Sequence, residues 1–419
     1  MAQNGYKVSV LISVYDVEPY IERCLRSLFE QTYSNLEYIV VDDCTPDNSM
    51  AVFDRVMRDY PERASSVKII HHENHRGLAA ARNTAFDHAT GEFLCVVDTD
   101  DWMELDGIER MVDEQVATDA DVVWGKALMH DHDGETELSE PKYKDLEEWR
   151  MCYFHFTRDY VMVNWRRIIR RSLLEQYHIR HEEGLHIGND KQLMPLIAYY
   201  AKSFSTVDAV VYHYEKRNSH ARTYKATHGG YDLFAYTREV ESMRRVVKFL
   251  ADKEPRYLEA AELTKLRRLL EYRAKALRNG SRKGFQMMAN WIMETPIEYR
   301  KYIGWVGESA RLMSDYRLCR SWMKTKDKVK ELKFRNLVDI EKELLHLEAA
   351  ELMKLKRLLE YRAKVLRNSS KKEFRIMVDW IMKTPVKYRK YIGWVGYETK
   401  LMSNYTASRL WMKTKRNKA

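Results

Sequence analysis

No apolar run in this 419-residue chain approaches the ~20 residues that a membrane-spanning helix needs. The opening MAQNGYKVSV has neither the charged nor the apolar region of a signal peptide. Together these absences predict a cytoplasmic protein. Cysteine is scarce: Cys24, Cys44, Cys95, Cys152 and Cys319 are scattered, odd in number and without ligand spacing. That excludes a disulfide framework and predicts reduced structural thiols. A glycine-rich, Arg/Lys-bearing loop after the first apolar segment is also missing. Its place reads VYDVEPY, which argues against a nucleotidyltransferase.

What is present is a charge split. The net charge of +9 combines 41 Lys+Arg against 20 Asp+Glu in residues 251–419 with 30 against 42 in the first 250. Two parts with different tasks are implied. The acidic part should not seek polyanions. The basic part could, but no recognition motif for nucleic acid accompanies its charge.

The acidic part alternates strand and helix patterns. Val8–Tyr15, Leu36–Val41, Val67–His71 and Phe93–Val97 are short apolar runs rich in β-branched residues, read as buried strands. Pro19 opens a helical pattern through Ile21, Leu25, Leu28 and Phe29. Ala51–Tyr60 and Gly77–Ala89 supply two more helices. This order predicts an α/β fold with a mostly parallel sheet covered on both faces. Ligands bind such sheets beyond the carboxyl ends of the strands, where Ser13, Asp43 and Asp98 fall. Residues 102–225 have mixed patterning, with a helix expected at Leu193–Ala201 and a strand at Val207–Tyr214.

The basic part holds an internal repeat. ELTKLRRLLEYRAKALRN at 262–279 recurs as ELMKLKRLLEYRAKVLRN at 351–368, with fifteen of eighteen positions identical. YRKYIGWVG and WMKTK recur at the same offset. The organisation expected is a domain over 1–230, then a basic helical region over 231–419 with repeats at about 257–326 and 346–415. The leucine stripe of each repeat suits helix packing. Trp305, Trp322, Trp394 and Trp411 are candidate interfacial anchors, with core packing as the alternative.

The chemistry concentrates in Asp98-Thr99-Asp100-Asp101. Three crowded carboxylates repel one another, which raises a pKa or invites a cation. Mg²⁺ or Mn²⁺ prefers such oxygens together with phosphate oxygens, and could neutralise a diphosphate leaving group. The alternative is a solvated acidic turn. Asp42-Asp43 ends a neighbouring strand, where a carboxylate can accept from a nucleobase or ribose. Tyr15 offers a ring for stacking, and Arg82 can pair with phosphate. Asp190 is a candidate general base, with a helix N-cap as the alternative.

These blocks carry a specific resemblance. VSVLISVYDVEPYIERCLRSLFEQTYSNLEYIVVDDCTPDNS, followed by NHRGLAAARNTAFDHATGEFLCVVDTDDW, resembles the opening of a family 2 glycosyltransferase of the GT-A fold. The likeness covers about residues 6–225 and is strongest over the first 105. Asp16 stands where Asn is usual, Ser13 where Pro is common, and Thr45 where Ser is common. The resemblance implies a bacterial capsule, exopolysaccharide or lipopolysaccharide type of enzyme, which moves a sugar from a UDP-sugar to a glycan or lipid-linked acceptor with inversion. It implies that Ser13, Tyr15 and Asp43 form the base pocket, that Arg82 lies near the diphosphate, and that Asp98 binds nucleotide. Asp100 and Asp101 are implied as metal residues for Mn²⁺ or Mg²⁺. In Gly188-Asn189-Asp190, Asp190 is implied as the base, with Asn189 replacing a usual Glu. YHYEKRNSHART resembles the closing strand and loop, and Arg217, His220 and Arg222 could form a lid. The family's Q-x-x-R-W block is absent. That predicts single-sugar addition or work beside a separate exporter. The basic repeats could rest on the inner face of an anionic membrane or pair into a homodimer. A scaffold that binds nucleotide-sugar without turnover is the competing reading.

Overall fold

The computed structural model describes residues 5–139, 141–155, 161–184, 188–218, 231–300 and 316. The second repeat, the four tryptophans singled out above, His220 and Arg222 lie outside them. The described residues all fall in one compact unit.

The fold is α/β of the GT-A kind. The sheet runs β3-β2-β1-β4-β8-β6-β9-β5, with β7 added to β6. Strands β1 (Val8–Val14), β2 (Leu36–Asp42), β3 (Val67–His71) and β4 (Phe93–Asp98) are mutually parallel. Their apolar runs are continuous because both faces are covered. Leu11, Ile39, Val41, Leu94 and Val96 enter one core, while Val10, Ile12, Tyr38, Val40, Cys95 and Val97 enter the other. Side chains alternate across a strand, so one run feeds two cores. Helices α1 (Ile21–Phe29) and α2 (Ser49–Met57) pack on the second core, as does α4 (Gly107–Thr118). Helix α3 (Leu78–His88) packs on the first.

Beyond β4 the sheet is mixed, where the sequence pattern predicted a mostly parallel one. β5 is only Trp102–Met103 and pairs antiparallel with β9 (Phe204–Glu215). β8 (Arg167–Arg170) runs antiparallel to both β4 and β6 (Val122–Asp131), and β6 runs parallel to β9. β7 (Gly134–Leu138) is antiparallel to β6. After α5 (Leu146–Phe154) and α6 (Arg171–Gln176) comes α7 (Asn189–Tyr200).

Three further helices, α8 (Leu233–Leu250), α9 (Pro255–Arg278) and α10 (Arg282–Glu294), follow within the same unit. Met243, Val246 and Leu250 of α8 and Tyr257, Ala260 and Ala261 of α9 join the first core. The helical start of the basic region thus packs with the sheet. Among the described residues no helix is long and apolar enough to cross a membrane.

Candidate functional site

Parallel pairing sets the ends of β1, β2 and β4 level. Ser13 is in register with Val41 and with Asp98, and Val14 with Asp42. Thr99 Oγ1 donates to the Ser13 carbonyl at 3.0 Å, tying the turn after β4 to β1. The chain leaves β1 through Asp16 at φ 56°, a left-handed conformation that Asn and Asp tolerate better than most residues. This accounts for Asp where Asn is usual. Tyr15 is exposed and stacks on His75 with centroids 3.9 Å apart.

Asp43 is 2% exposed, and both its oxygens are engaged within the protein. Oδ1 accepts from Arg76 N–H at 2.8 Å and meets His72 Nδ1 at 2.7 Å. Oδ2 accepts from Gly77 N–H at 2.7 Å and meets His75 Nδ1 at 2.9 Å. Asp43 therefore organises the loop entering α3. A nucleobase N–H reaching it would compete with His75, which already lies against Tyr15.

Arg82, on α3, is 3% exposed and bridges two carboxylates. Its Nη2 meets Asp98 Oδ1 at 2.6 Å and its Nη1 meets Asp190 Oδ1 at 2.8 Å. Planar, charged donors forked toward two acids suit a guanidinium and not an ammonium. Burial alone would lower the arginine's pKa, but the two acids raise it. Asp190 sits in the first turn of α7, whose N-cap position belongs to Gly188 with no side-chain cap bond. The cap alternative for Asp190 is thus not what the helix uses. Burial, with a contribution from Asp98, raises the Asp190 carboxyl even against Arg82. Gly188 has φ 78°, and a Cβ there would meet Ser242 Oγ at 2.6 Å. Both conformation and the close approach of α8 require glycine.

The three acids after β4 have separate surroundings. Asp98 keeps 28% of its side chain exposed. Asp100 Oδ2 accepts from Asn218 Nδ2 at 3.0 Å, and burial followed by the charge of Asp98 pushes its carboxyl up to about 6. Asp101 is 1% exposed. Its Oδ2 accepts from Tyr212 O–H at 2.8 Å and its Oδ1 from Glu215 N–H at 2.7 Å. Tyr212 also accepts from Asp98 N–H at 3.1 Å, and its ring stacks on Trp165 at 4.8 Å. Asp101 thereby anchors β9 beneath the turn, and Asp98 and Asp100 are the pair nearest solvent. Among the described residues no group of three His, Cys, Asp or Glu side chains is arranged as a complete metal cage.

Arg217 closes this edge by pairing with Glu215, Nη2 to Oε2 at 2.6 Å. Burial would raise the Glu215 carboxyl, but Arg217 and Arg23 hold it at about 2. Arg23 also stacks over Trp102, 3.6 Å from the ring centroid, and donates to the Asp100 carbonyl at 3.1 Å. Sequence reading did not single out Arg23, His72, His75, Tyr212, Glu215 or Asn218. Arg23 and His75 fall within the quoted blocks, and Tyr212, Glu215 and Asn218 within the closing YHYEKRN, without a role assigned to them.

Residues 9–177 match the family model described as Glycosyl transferase family 2. The uncharacterized glycosyltransferase EpsJ of Bacillus subtilis is 31% identical over 189 residues, 44% of this chain and 53% of its own. The putative glycosyltransferase EpsH of the same organism is 32% identical over 213 residues, 49% of this chain and 60% of its own. The chain thus spans less than two thirds of these relatives' length. Among solved structures, S. aureus TarS 1–349 in complex with UDP-GlcNAc has a TM-score of 0.59 at 19% identity, covering 78% of this chain and 93% of that one. The likeness is one of fold.

Proposed function

We propose, from the match of residues 9–177 to the Glycosyl transferase family 2 model, that the protein is an inverting glycosyltransferase of bacterial surface-polysaccharide synthesis. The donor is a nucleotide-sugar, a UDP-sugar in this reading, and the acceptor is a hydroxyl of a glycan or lipid-linked glycan. The observation that carries the proposal is the Arg82 bridge between Asp98 and Asp190. It joins the strand end where a donor diphosphate would lie to the residue that would take the acceptor proton.

In this mechanism Ser13, Tyr15 and the Asp43 loop receive the nucleoside. The acceptor oxygen attacks the anomeric carbon as Asp190 removes its proton. A new C–O bond forms, the bond to the diphosphate oxygen breaks, and the nucleoside diphosphate leaves with both bonding electrons. Arg82 faces the charge that develops there. A single displacement inverts the anomeric centre.

A divalent cation, Mn²⁺ or Mg²⁺, fits the donor set. Asp98 and Asp100 are hard oxygen ligands; burial and then the charge of Asp98 push Asp100 up to about 6, and a cation there would offset the charge repulsion. Asp100 and Asp98 would hold it, with Asp101 fixing the turn behind them. Bound there, it would supply charge neutralisation of the leaving diphosphate. The basic helical repeats would bring the enzyme to the anionic inner face of a membrane or pair two copies.

The test is nucleotide release from a panel of UDP-, GDP- and dTDP-sugars, with Mn²⁺ and with chelator. The expected result is slow, metal-dependent hydrolysis of one donor that is lost in Asp100→Ala. Absence of turnover and of metal-dependent binding for every donor would overturn the proposal.

A further inference from the structure

The place proposed above for the nucleobase is filled by a side chain of similar shape. His75 lies on the segment between β3 and α3. Its ring stacks on Tyr15, with centroids 3.9 Å apart and planes 28° from parallel. Its Nδ1 is 2.9 Å from Asp43 Oδ2. One flat face toward Tyr15 and one ring nitrogen against Asp43 are what a nucleobase would bring to the same two residues. A base inserted between the rings would need them about 7 Å apart, twice the ~3.5 Å contact distance of carbon atoms. A base that touches both Tyr15 and Asp43 must therefore take the place of His75.

The surroundings of His75 suit such an exchange. Among the described residues four groups meet the Asp43 carboxylate, and three of them are fixed. Arg76 and Gly77 donate main-chain N–H groups at 2.8 and 2.7 Å. The His72 side chain is 5% exposed, and its other nitrogen meets Thr84 Oγ1 at 2.9 Å. The fourth group, the His75 side chain, is 36% exposed. Arg76 pins the loop a second time, its guanidinium pairing with Glu183 at 3.0 Å. Rotation of the His75 side chain about its Cα–Cβ bond thus frees one acceptor position on Asp43 and one face of Tyr15, while the main chain stays anchored. The exchange of one ring for another also keeps a partner on the freed oxygen, which a buried carboxylate requires.

We infer that His75 is a built-in competitor for the nucleobase: it holds Tyr15 and Asp43 in binding geometry and is displaced when the donor binds. The inference rests on the donor-pocket reading given under the proposed function, and adds to it a residue that sets donor affinity. The apparent dissociation constant is the intrinsic one divided by the fraction of molecules in which His75 has swung out. Removing the side chain should therefore tighten binding. Loss of a merely structural side chain would weaken it.

The test is calorimetric titration of the full chain with UDP, GDP and dTDP in the presence of Mn²⁺, the variants then being compared on the nucleotide bound most tightly. His75→Ala should bind it at least ~5-fold more tightly than wild type. His75→Ser also lacks the ring and should match it, and it decides the matter if His75→Ala does not fold. Tyr15→Ala should bind more weakly than wild type. Binding that depends on Tyr15 yet is equal or weaker in the His75 variants overturns the inference and leaves the donor pocket standing. Weaker binding would make His75 a second wall of that pocket. Nucleotide binding by the His75 variants where wild type shows none is the expected gain in its largest form. An affinity unchanged by Tyr15→Ala, or no nucleotide binding by wild type and the His75 variants alike, overturns the pocket reading itself and the inference with it.

Discussion

Replacing Arg82 by methionine should expose how far the site depends on one cation. The side chain is 3% exposed, and its two charge-assisted contacts are 2.6 and 2.8 Å. Methionine fills comparable volume but leaves Asp98 and Asp190 facing each other without a counter-charge. Removing one partner of a buried ion pair costs about 3–5 kcal/mol. The pH dependence has a definite sign. Asp190 is already raised, and Arg82 is its principal lowering influence. Without Arg82 the folded-state pKa rises further above the unfolded value. A raised acid loses stability when ionised and regains it when protonated. The deficit of Arg82→Met should therefore be full at pH 8 and shrink as pH falls through the raised pKa. Urea unfolding of wild type and variant at pH 8 and at pH 5, followed by tryptophan fluorescence, measures both. A variant within 1 kcal/mol of wild type at pH 8, or a deficit that grows on acidification, would refute the reasoning.

Three other substitutions probe the scaffold. Glu37 accepts from Ser9 Oγ at 2.5 Å, Thr90 N–H at 2.6 Å and Gly91 N–H at 3.0 Å, and pairs with Lys7 at 2.8 Å. Burial would raise its carboxyl, but Lys7, Ser9 and Thr90 hold it at about 2 against an ordinary 4.5. A depressed acid stabilises above its unfolded pKa, so about 3 kcal/mol should disappear between pH 4.5 and 2. Wild type should lose that stability across this window while Glu37→Gln, which has no carboxyl to titrate there, should not, so the slopes of stability against pH should differ between pH 4.5 and 2. Tyr212→Phe removes the donor to buried Asp101 and the acceptor for Asp98 N–H. It should cost about 1–3 kcal/mol in denaturant unfolding, with metal-dependent donor binding weakened. Gly188→Ala should lower both stability and turnover, by at least ~1 kcal/mol in unfolding, because φ is positive and Ser242 stands in the way. Relief by the double variant Gly188→Ala/Ser242→Gly would confirm the steric half of that cost.

The parallel half of the sheet was legible because its strands are buried on both faces. Runs such as VSVLISV and FLCVV admit few other readings. The mixed half was legible only at β9, read as a strand over Val207–Tyr214, and at the helix read over Leu193–Ala201. β5 has two residues, and β8 is RIIR, whose Arg167 is fully buried and donates to the Val163 and Val161 carbonyls. No periodicity announces such a strand. The site divides in the same way. Asp98, Asp100 and Asp190 stand out as acids at strand or helix ends. The Arg82–Asp190 contact joins residues 108 apart and depends on how α3 and α7 pack. The residues between the third strand and Gly77 drew no reading, although His72 and His75 both turn back onto Asp43. Asp101 read as a metal residue beside Asp100, because a strand end does not say which carboxylate of a run faces a buried tyrosine.

The central claim is that Asp190 takes the acceptor proton in a site whose donor pocket is built by other residues. Asp190→Asn, assayed for sugar transfer and for donor affinity with the donor that wild type hydrolyses, tests it most directly. In Asp190→Asn, kcat should fall by about 10²–10⁴-fold, with donor Kd within about threefold of wild type. Transfer within tenfold of wild type would contradict the role given to Asp190, and the base would then have to be sought elsewhere along the rim of β4 and β9.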